Sequence, residues 1–327
     1  MRKSAQWIIG LAISVLAFAL AFRSANPAQV GQSLREANYI FMLPAVGLMC
    51  AGLFLRAASW RVILGGQIPY WRVFDAMNEG YLLNNLLPFR LGELGRAYLV
   101  SRGHGLKVTH VLSSVVVERL IDLLMVIVML AAFLPLIVGL AWARSAAVAS
   151  AIIGVGALTG LVVLARNRLR VLRLARWGLS RAAWLSADKW EGRTRAFLDG
   201  LGALQDTRRS LEVAFWSGAA WATAGFGAWL LLRAFVASAT PAMGFFAITI
   251  LGLGLTVPSA PGAVGVFEAA VVAALSVYGV DNSLALSFAL VFHVTYFALT
   301  TTLGGLALSR EGETLSHLAR SAQSLLR

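Results

Sequence analysis

Long apolar runs, joined by short polar connections and repeated along nearly the whole chain, constrain this sequence more than any other feature. They begin near Trp7, Tyr39, Val111, Ala146, Leu211, Met243, Gly262 and Leu284. A bilayer core of about 30 Å takes about 20 apolar residues per helical crossing, and within it each helix bonds its own backbone. Composition agrees: hydrophobic residues make up 59% and charged residues 13%, against about 25% charged in an ordinary soluble domain. So much apolar bulk excludes disorder and a water-soluble globule. The expected fold is all-α, a polytopic integral membrane protein forming one transmembrane domain over residues 1–327, with about eight membrane passes. Met243–Leu255 is short for a full crossing.

Charge gives the expected orientation. Arg2 and Lys3 precede the first run and place the N-terminus inside, as an uncleaved first helix rather than a signal peptide. The polar stretch 23–37 then lies outside, and Arg56, Trp60 and Arg61 read as interfacial anchors where the second run returns. Residues 166–209 carry eleven Arg/Lys and four Asp/Glu, a basic cytoplasmic connection by the positive-inside rule. Arg166, Arg170, Arg173 and Arg181 fall on one side of a helical wheel there, with Val171, Leu172, Ala175, Leu179 and Ala182 opposite, which predicts an interfacial amphipathic helix against anionic phospholipid. The net charge of +13 is thus assigned to a membrane surface and not to nucleic acid. Both termini are expected in the cytoplasm.

Two stretches are not plain spans. Residues 70–103 mix Asp75, Asn78, Glu79, Asn84, Asn85, Arg90, Glu93 and Arg96 with apolar residues and are interrupted by Pro88, Gly92 and Gly95. Residues 258–265 carry Pro258, Pro261, Gly262 and Gly265. Broken backbone at membrane depth is tolerated where protein or a wet cavity shields it, so both regions read as broken or re-entrant helices. They share the pattern P-x3-G-x2-G, which suggests an internal inverted repeat of the kind that places a substrate site at paired breaks.

Three sets of polar residues could carry chemistry. Glu93 and Arg96, three apart, share a helix face beside Arg90, and guanidinium groups suit a phosphate; the bland alternative is an ion pair that ties the hairpin down. Glu118, Arg119 and Asp122 place three charges in an apolar helix, which demands partners or a headgroup-level position. Arg119 could reach Glu93, and Asp122 could take Arg90 or Arg96. Glu268 is the lone acid of a long apolar stretch and requires a partner or a proton. Asn84 and Asn85 read as caps or bridges of the first break, and His293 as a satisfied histidine between helices.

Enzyme motifs are missing. There is no H-E-x-x-H, no G-x-S-x-G and no phosphate-binding glycine loop. Four scattered histidines and the single Cys50 offer neither a metal site nor a disulfide framework. No cofactor and no catalytic residue are expected.

Taken together, Asn84-Asn-Leu-Leu-Pro-Phe-Arg-Leu-Gly-Glu-Leu-Gly-Arg96, Ser114-Val-Val-Val-Glu-Arg-Leu-Ile-Asp122 and Val257-Pro-Ser-Ala-Pro-Gly-Ala-Val-Gly-Val-Phe-Glu268 resemble the flippase-like membrane domain of bacterial lysylphosphatidylglycerol synthase. That domain also occurs as stand-alone proteins, some linked to hopanoid synthesis. The resemblance implies translocation of a charged phospholipid between leaflets, with Arg90, Glu93, Arg96, Arg119, Asp122 and Glu268 at recurrent polar positions. The full synthase adds a soluble catalytic domain after its membrane part; here the chain ends soon after Leu308, so aminoacyl transfer from tRNA is not expected. The reading that follows is a non-enzymatic flippase of the bacterial inner membrane. It moves a phospholipid or other polar-headgroup lipid along a groove lined by Asn84, Arg90, Glu93, Arg96, Arg119, Asp122 and Glu268. The alternative is an accessory protein that holds a lipid-modifying synthase or glycosyltransferase through the basic connection.

Overall fold

Backbone that cannot turn to water must bond to itself, and the described residues of this chain do so as helices. The computed structural model describes residues 2–23, 25–87, 91–102, 105–137, 142–179 and 187–311. Among them thirteen α-helices follow one another: α1 (Arg2–Arg23), α2 (Pro27–Glu36), α3 (Met42–Ile63), α4 (Tyr70–Leu86), α5 (Leu91–Ser101), α6 (Val108–Phe133), α7 (Ala143–Arg166), α8 (Arg168–Leu179), α9 (Ala187–Gly200), α10 (Thr207–Leu232), α11 (Pro241–Gly254), α12 (Val266–Ser276) and α13 (Asn282–Glu311).

Polarity is inverted, as a lipid solvent requires. Leu43, Ile152 and Val155 are among the most exposed side chains, while Asn78, Glu79, Arg96, Glu118 and Glu268 are buried. Among the described residues three helical stretches are long and apolar enough to cross a membrane: Tyr39–Ile63, Ala143–Arg166 and Asn282–Arg310. The pair Gly10–Arg23 and Pro27–Glu36 passes together, bent by 79°. At 26 residues each, α6 and α10 also have the length, about 39 Å, but α6 carries a charged triplet midway.

The polar stretch after α1 is not an open connection. Asn26 caps α2 by accepting from the Ala28 N–H at 3.0 Å, Pro27 starts the helix, and the Asn26 N–H donates to Ser283 of α13. Nor does the second run end at Arg56. Helix α3 continues to Ile63 because the partners of Arg56 and Trp60 lie inside the protein: Arg56 pairs with Asp122, and Trp60, fully buried, donates to Ser114 at 3.1 Å. These two residues are interior contacts and not interfacial anchors.

Both broken regions fold as antiparallel helical hairpins. Helices α4 and α5 lie against each other, with Gly92 packed on Gly80 so closely that a Cβ on Gly92 would overlap the Gly80 carbonyl. Farther along the hairpin, Arg72 donates to the Leu99 carbonyl at 2.8 Å. Helices α11 and α12 pair in the same sense, Gly254 beside Ala270 and Phe246 beside Tyr278. The arms have 17, 11, 14 and 11 residues, or about 25, 16, 21 and 16 Å. Each arm is shorter than a full crossing. The shared glycine pattern acts differently in the two: Gly92 and Gly95 are helical and make close packing, whereas Gly262 and Gly265 have φ of 67° and 87° and turn the chain.

Helix α8 turns Val171 and Leu172 toward the protein, into the apolar cluster that includes Leu161, Leu164 and Phe197, and Arg168 pairs with Asp199 of α9. Its outer face mixes Arg170, Arg173 and Arg176 with the exposed Leu169, Leu174 and Trp177. The side chains of Ala175 and Leu179, and residues Arg181 and Ala182, lie outside the described residues, as do Pro88 and Arg90. Two apolar clusters result, one built chiefly by α10–α13 and one by α3–α6 with α9.

Candidate lipid-headgroup cavity

Between the two clusters lies a cavity of about 840 Å³. Helices α3, α4, α5, α6, α10, α11 and α13 and the connection before α12 all contribute to its wall. Apolar residues form most of it, and one side carries a ladder of charges. Helix α5 presents Glu93 and Arg96, three residues apart and therefore on one face, toward α6. Helix α6 answers with Glu118, Arg119 and Asp122.

The rungs follow in order. Glu93 lies 3.7 Å from Arg119, Arg119 lies 3.3 Å from Asp122, and Asp122 lies 3.1 Å from Arg56 of α3. Trp221 of α10 donates its indole N–H to Asp122 at 3.0 Å. Deeper in, Arg96 pairs with Glu118 at 2.7 Å and sits 4.5 Å over the Trp60 ring. Burial divides the ladder. The Arg96 and Glu118 side chains are 3% and 8% exposed and are locked, whereas Arg119 is 36% and Glu93 26% exposed and can meet a ligand. Six charges in balance explain how a mainly apolar protein holds them, because buried charge survives where it is paired.

The first break is closed by asparagines. Asn84 accepts from the Gly92 N–H at 2.9 Å and so satisfies an open donor of α5. Asn85 reaches α13, donating at 2.9 Å to Thr300 or Thr301. The second break is closed by Glu268, whose carboxylate accepts from the Gly265 N–H at 2.7 Å. Its other oxygen lies 2.6 Å from His293 Nδ1, and His293 Nε2 lies 2.8 Å from the Gly262 carbonyl. Pro258, Gly262 and His293 face the cavity, and Pro261 opens the short 3-10 turn that ends at Ala263.

Of the sequence-predicted site residues, Asn84, Glu93, Arg96, Arg119 and Asp122 meet in this one cavity. Glu268 lies behind its wall, reached through His293, and Arg90 lies outside the described residues. The Glu93–Arg119 pairing occurs as expected; among the described residues Asp122 takes Arg56 and Arg119 rather than Arg96, which is held by Glu118. Sequence reasoning missed Arg56, Trp60 and Trp221. Arg56 and Trp60 are four apart and share a helix face, a spacing compatible equally with an interfacial belt and with a polar seam. Among the described residues no group of three or more His, Cys, Asp or Glu is placed to hold a metal ion.

The arrangement can bind a polar group in a pocket that is apolar elsewhere. A guanidinium exchanging its carboxylate for a phosphate, or a carboxylate exchanging its guanidinium for an ammonium group, keeps the ladder paired. The model of one family, described as the lysylphosphatidylglycerol synthase TM region, matches residues 7–304, which include every rung of the ladder and both hairpins. No curated protein and no solved structure matches the chain. By this match over nearly its whole length, the chain belongs to the family of the lysylphosphatidylglycerol synthase transmembrane region.

Proposed function

We propose that the protein translocates a phospholipid or other polar-headgroup lipid across the bacterial inner membrane, without covalent chemistry. The observation that carries this reading is the charge ladder along one side of an otherwise apolar cavity. A headgroup entering hydrocarbon loses its hydration, at a cost of several kcal/mol for an ion even after relaxation, and a row of exchangeable ion pairs replaces those contacts. The acyl tails remain in the bilayer. The two helical hairpins, too short to cross, flank the cavity and supply movable walls. The family supplies the lipid context, and headgroups of aminoacylated, glycosylated or hopanoid lipids all fall within the class.

The basic connection completes the reading. By the positive-inside rule α8 and α9 lie in the cytoplasm, with both termini on that side. The outer face of α8, arginines alternating with Leu169, Leu174 and Trp177, suits an anionic phospholipid surface, at about 1 kcal/mol per basic residue close to the membrane.

Native mass spectrometry of gently purified protein tests the site. Wild type should retain a polar-headgroup lipid that is depleted in Glu93→Gln and Arg119→Gln. Equal retention of bulk phospholipid in all three would contradict it and favour the accessory-protein alternative, which predicts loss of a partner enzyme's product when the α8 arginines are replaced.

A further inference from the structure

The connection between α11 and α12 is held by an arrangement that fixes its own proton count. The Gly262 carbonyl can only accept, so His293 Nε2, 2.8 Å away, carries a hydrogen. The Gly265 N–H can only donate, so the Glu268 oxygen at 2.7 Å accepts. This leaves the contact of 2.6 Å between His293 Nδ1 and the second Glu268 oxygen. Without a proton there, two lone pairs face each other; with two, two donors do. One proton fits, whichever of the two atoms holds it, and the pair is then neutral overall. Both side chains are buried, Glu268 at 3% and His293 at 7% exposure. Phe267 stacks on the imidazole with ring centres 4.2 Å apart.

The pair grips both ends of the turn. Gly262 (φ 67°), Ala263 (φ 58°) and Gly265 (φ 87°) are all in the left-handed region, which costs a non-glycine residue such as Ala263 free energy. The turn is therefore held by its contacts: His293 on Gly262, Glu268 on Gly265, and Ser14 of α1 accepting from the Ala260 N–H at 2.8 Å. The turn also forms part of the cavity wall.

Among the described residues no other charged side chain bonds to the pair. Helix α1 contributes Ser14 and Phe18 beside Gly265, and α11 has no ionisable residue. Helix α4 contributes Tyr81 and Asn85 to the same cavity. Tyr296, one turn along α13, sits with Tyr81 near Arg56, Arg119 and Asp122. Gln29 and Val30 of α2 pack near the start of α13, by Ser283 and Ser287, and the charged Arg35 and Glu36 lie at the far end of α2.

We infer that Glu268 and His293 form a one-proton binding site, and that holding this proton keeps the turn at 258–265 closed over the cavity. Loss of the proton to cavity water leaves the pair with a net charge of minus one and two facing lone pairs, so His293 releases Gly262 and the turn opens. Gain of a second proton opens it by the opposite clash. Proton-linked movement of a lipid rests in addition on the translocation reading above; the site itself does not.

The test uses Ser259→Cys, a cavity-lining position in the turn, with Cys50→Ser, in reconstituted vesicles. Glu268→Gln is the matched control: its amide N–H₂ meets Nδ1 and its amide oxygen meets the Gly265 N–H, so the same bonds form and the pair has no proton to lose as the pH rises. The ratio of maleimide labelling rates of the two proteins at each pH cancels the titration of the thiol. The ratio should be flat over a middle range and then rise with increasing pH, roughly tenfold per pH unit above a midpoint, the slope of a one-proton step. A ratio constant between about pH 5 and 9 would overturn the proposal. So would Glu268→Ala labelling no faster than Glu268→Gln, because the pair would then not hold the turn. In vesicles with an imposed pH difference, lipid translocation by wild type should change rate and that by Glu268→Gln should not. Absence of translocation by both would refute the transport reading, while the labelling ratio would still decide the proton site.

Discussion

Asp122 of α6 lies 3.1 Å from Arg56 of α3, with the Trp221 indole of α10 bonded to the same carboxylate at 3.0 Å. One carboxylate thus ties three helices from both apolar clusters at the cavity wall. Breaking a largely buried pair leaves its survivor uncompensated, at about 3–5 kcal/mol. Asp122→Ala should therefore lower the thermal unfolding midpoint in detergent clearly. Arg56→Met with Asp122→Leu should recover most of that loss, because apolar replacement of both partners is often neutral, and should still fail in lipid translocation.

The exposed end of the ladder should matter to transport more than to folding. Glu93 and Arg119 are partly open to the cavity and 3.7 Å apart. A charged hydrogen bond contributes about 1.5–3 kcal/mol, so Glu93→Gln or Arg119→Gln should slow headgroup translocation by roughly 10–100-fold. The unfolding midpoint should move little for Glu93→Gln and more for Arg119→Gln, because Arg119 also pairs with buried Glu118 at 3.0 Å and with Asp122 at 3.3 Å. Arg96→Gln, in contrast, should destabilise the fold, since it strips buried Glu118 of the nearer of its two guanidinium partners. Unfolding curves and transport rates measured on the same preparations separate the two effects.

Close packing of the first hairpin gives a third expectation. A Cβ on Gly92 meets the Gly80 carbonyl and the Asn84 side chain, and neither backbone can move without opening α4 from α5. Gly92→Ala should cost about 1–3 kcal/mol, the usual range for overpacking. Gly31→Ala, at a position with open space around it, should be nearly silent in the same unfolding assay.

A spin label at Leu174→Cys, again with Cys50→Ser, tests the outer face of α8. Leu174 is 66% exposed and shares that face with Arg170 and Arg173. The label should become less accessible to aqueous quencher in vesicles containing anionic lipid than in neutral ones. Arg170→Glu with Arg173→Glu should abolish the difference, and added salt should weaken it.

The helical membrane class was legible because a lipid solvent leaves the chain few options, and apolar runs of the right length record that constraint directly. The two breaks were legible in Pro88, Gly92, Pro258 and Gly262, since such residues interrupt apolar helices for a reason. The pairing inside the cavity was not. Spacing along α6 puts Glu118 and Asp122 on one face but says nothing of which helix lies opposite. Arg56 was read as a membrane-surface anchor because tryptophan and arginine near the end of an apolar run describe an interfacial belt and a buried seam equally well. The α8 wheel set Val171 and Leu172 opposite Arg170 and Arg173, yet whether Val171 and Leu172 meet lipid or protein depends on α9, which no local pattern reveals.

The most direct measurement follows a headgroup-labelled lipid in sealed vesicles reconstituted with purified protein, using a membrane-impermeant reductant to count label remaining on the outside. Wild type should move label between leaflets faster than protein-free vesicles, and Glu93→Gln and Arg119→Gln, folded and incorporated equally, should fall back toward the protein-free rate. Rates for wild type equal to protein-free vesicles, with each polar-headgroup lipid class offered in turn, would contradict translocation. Undiminished rates in both variants would contradict the charge ladder as its path.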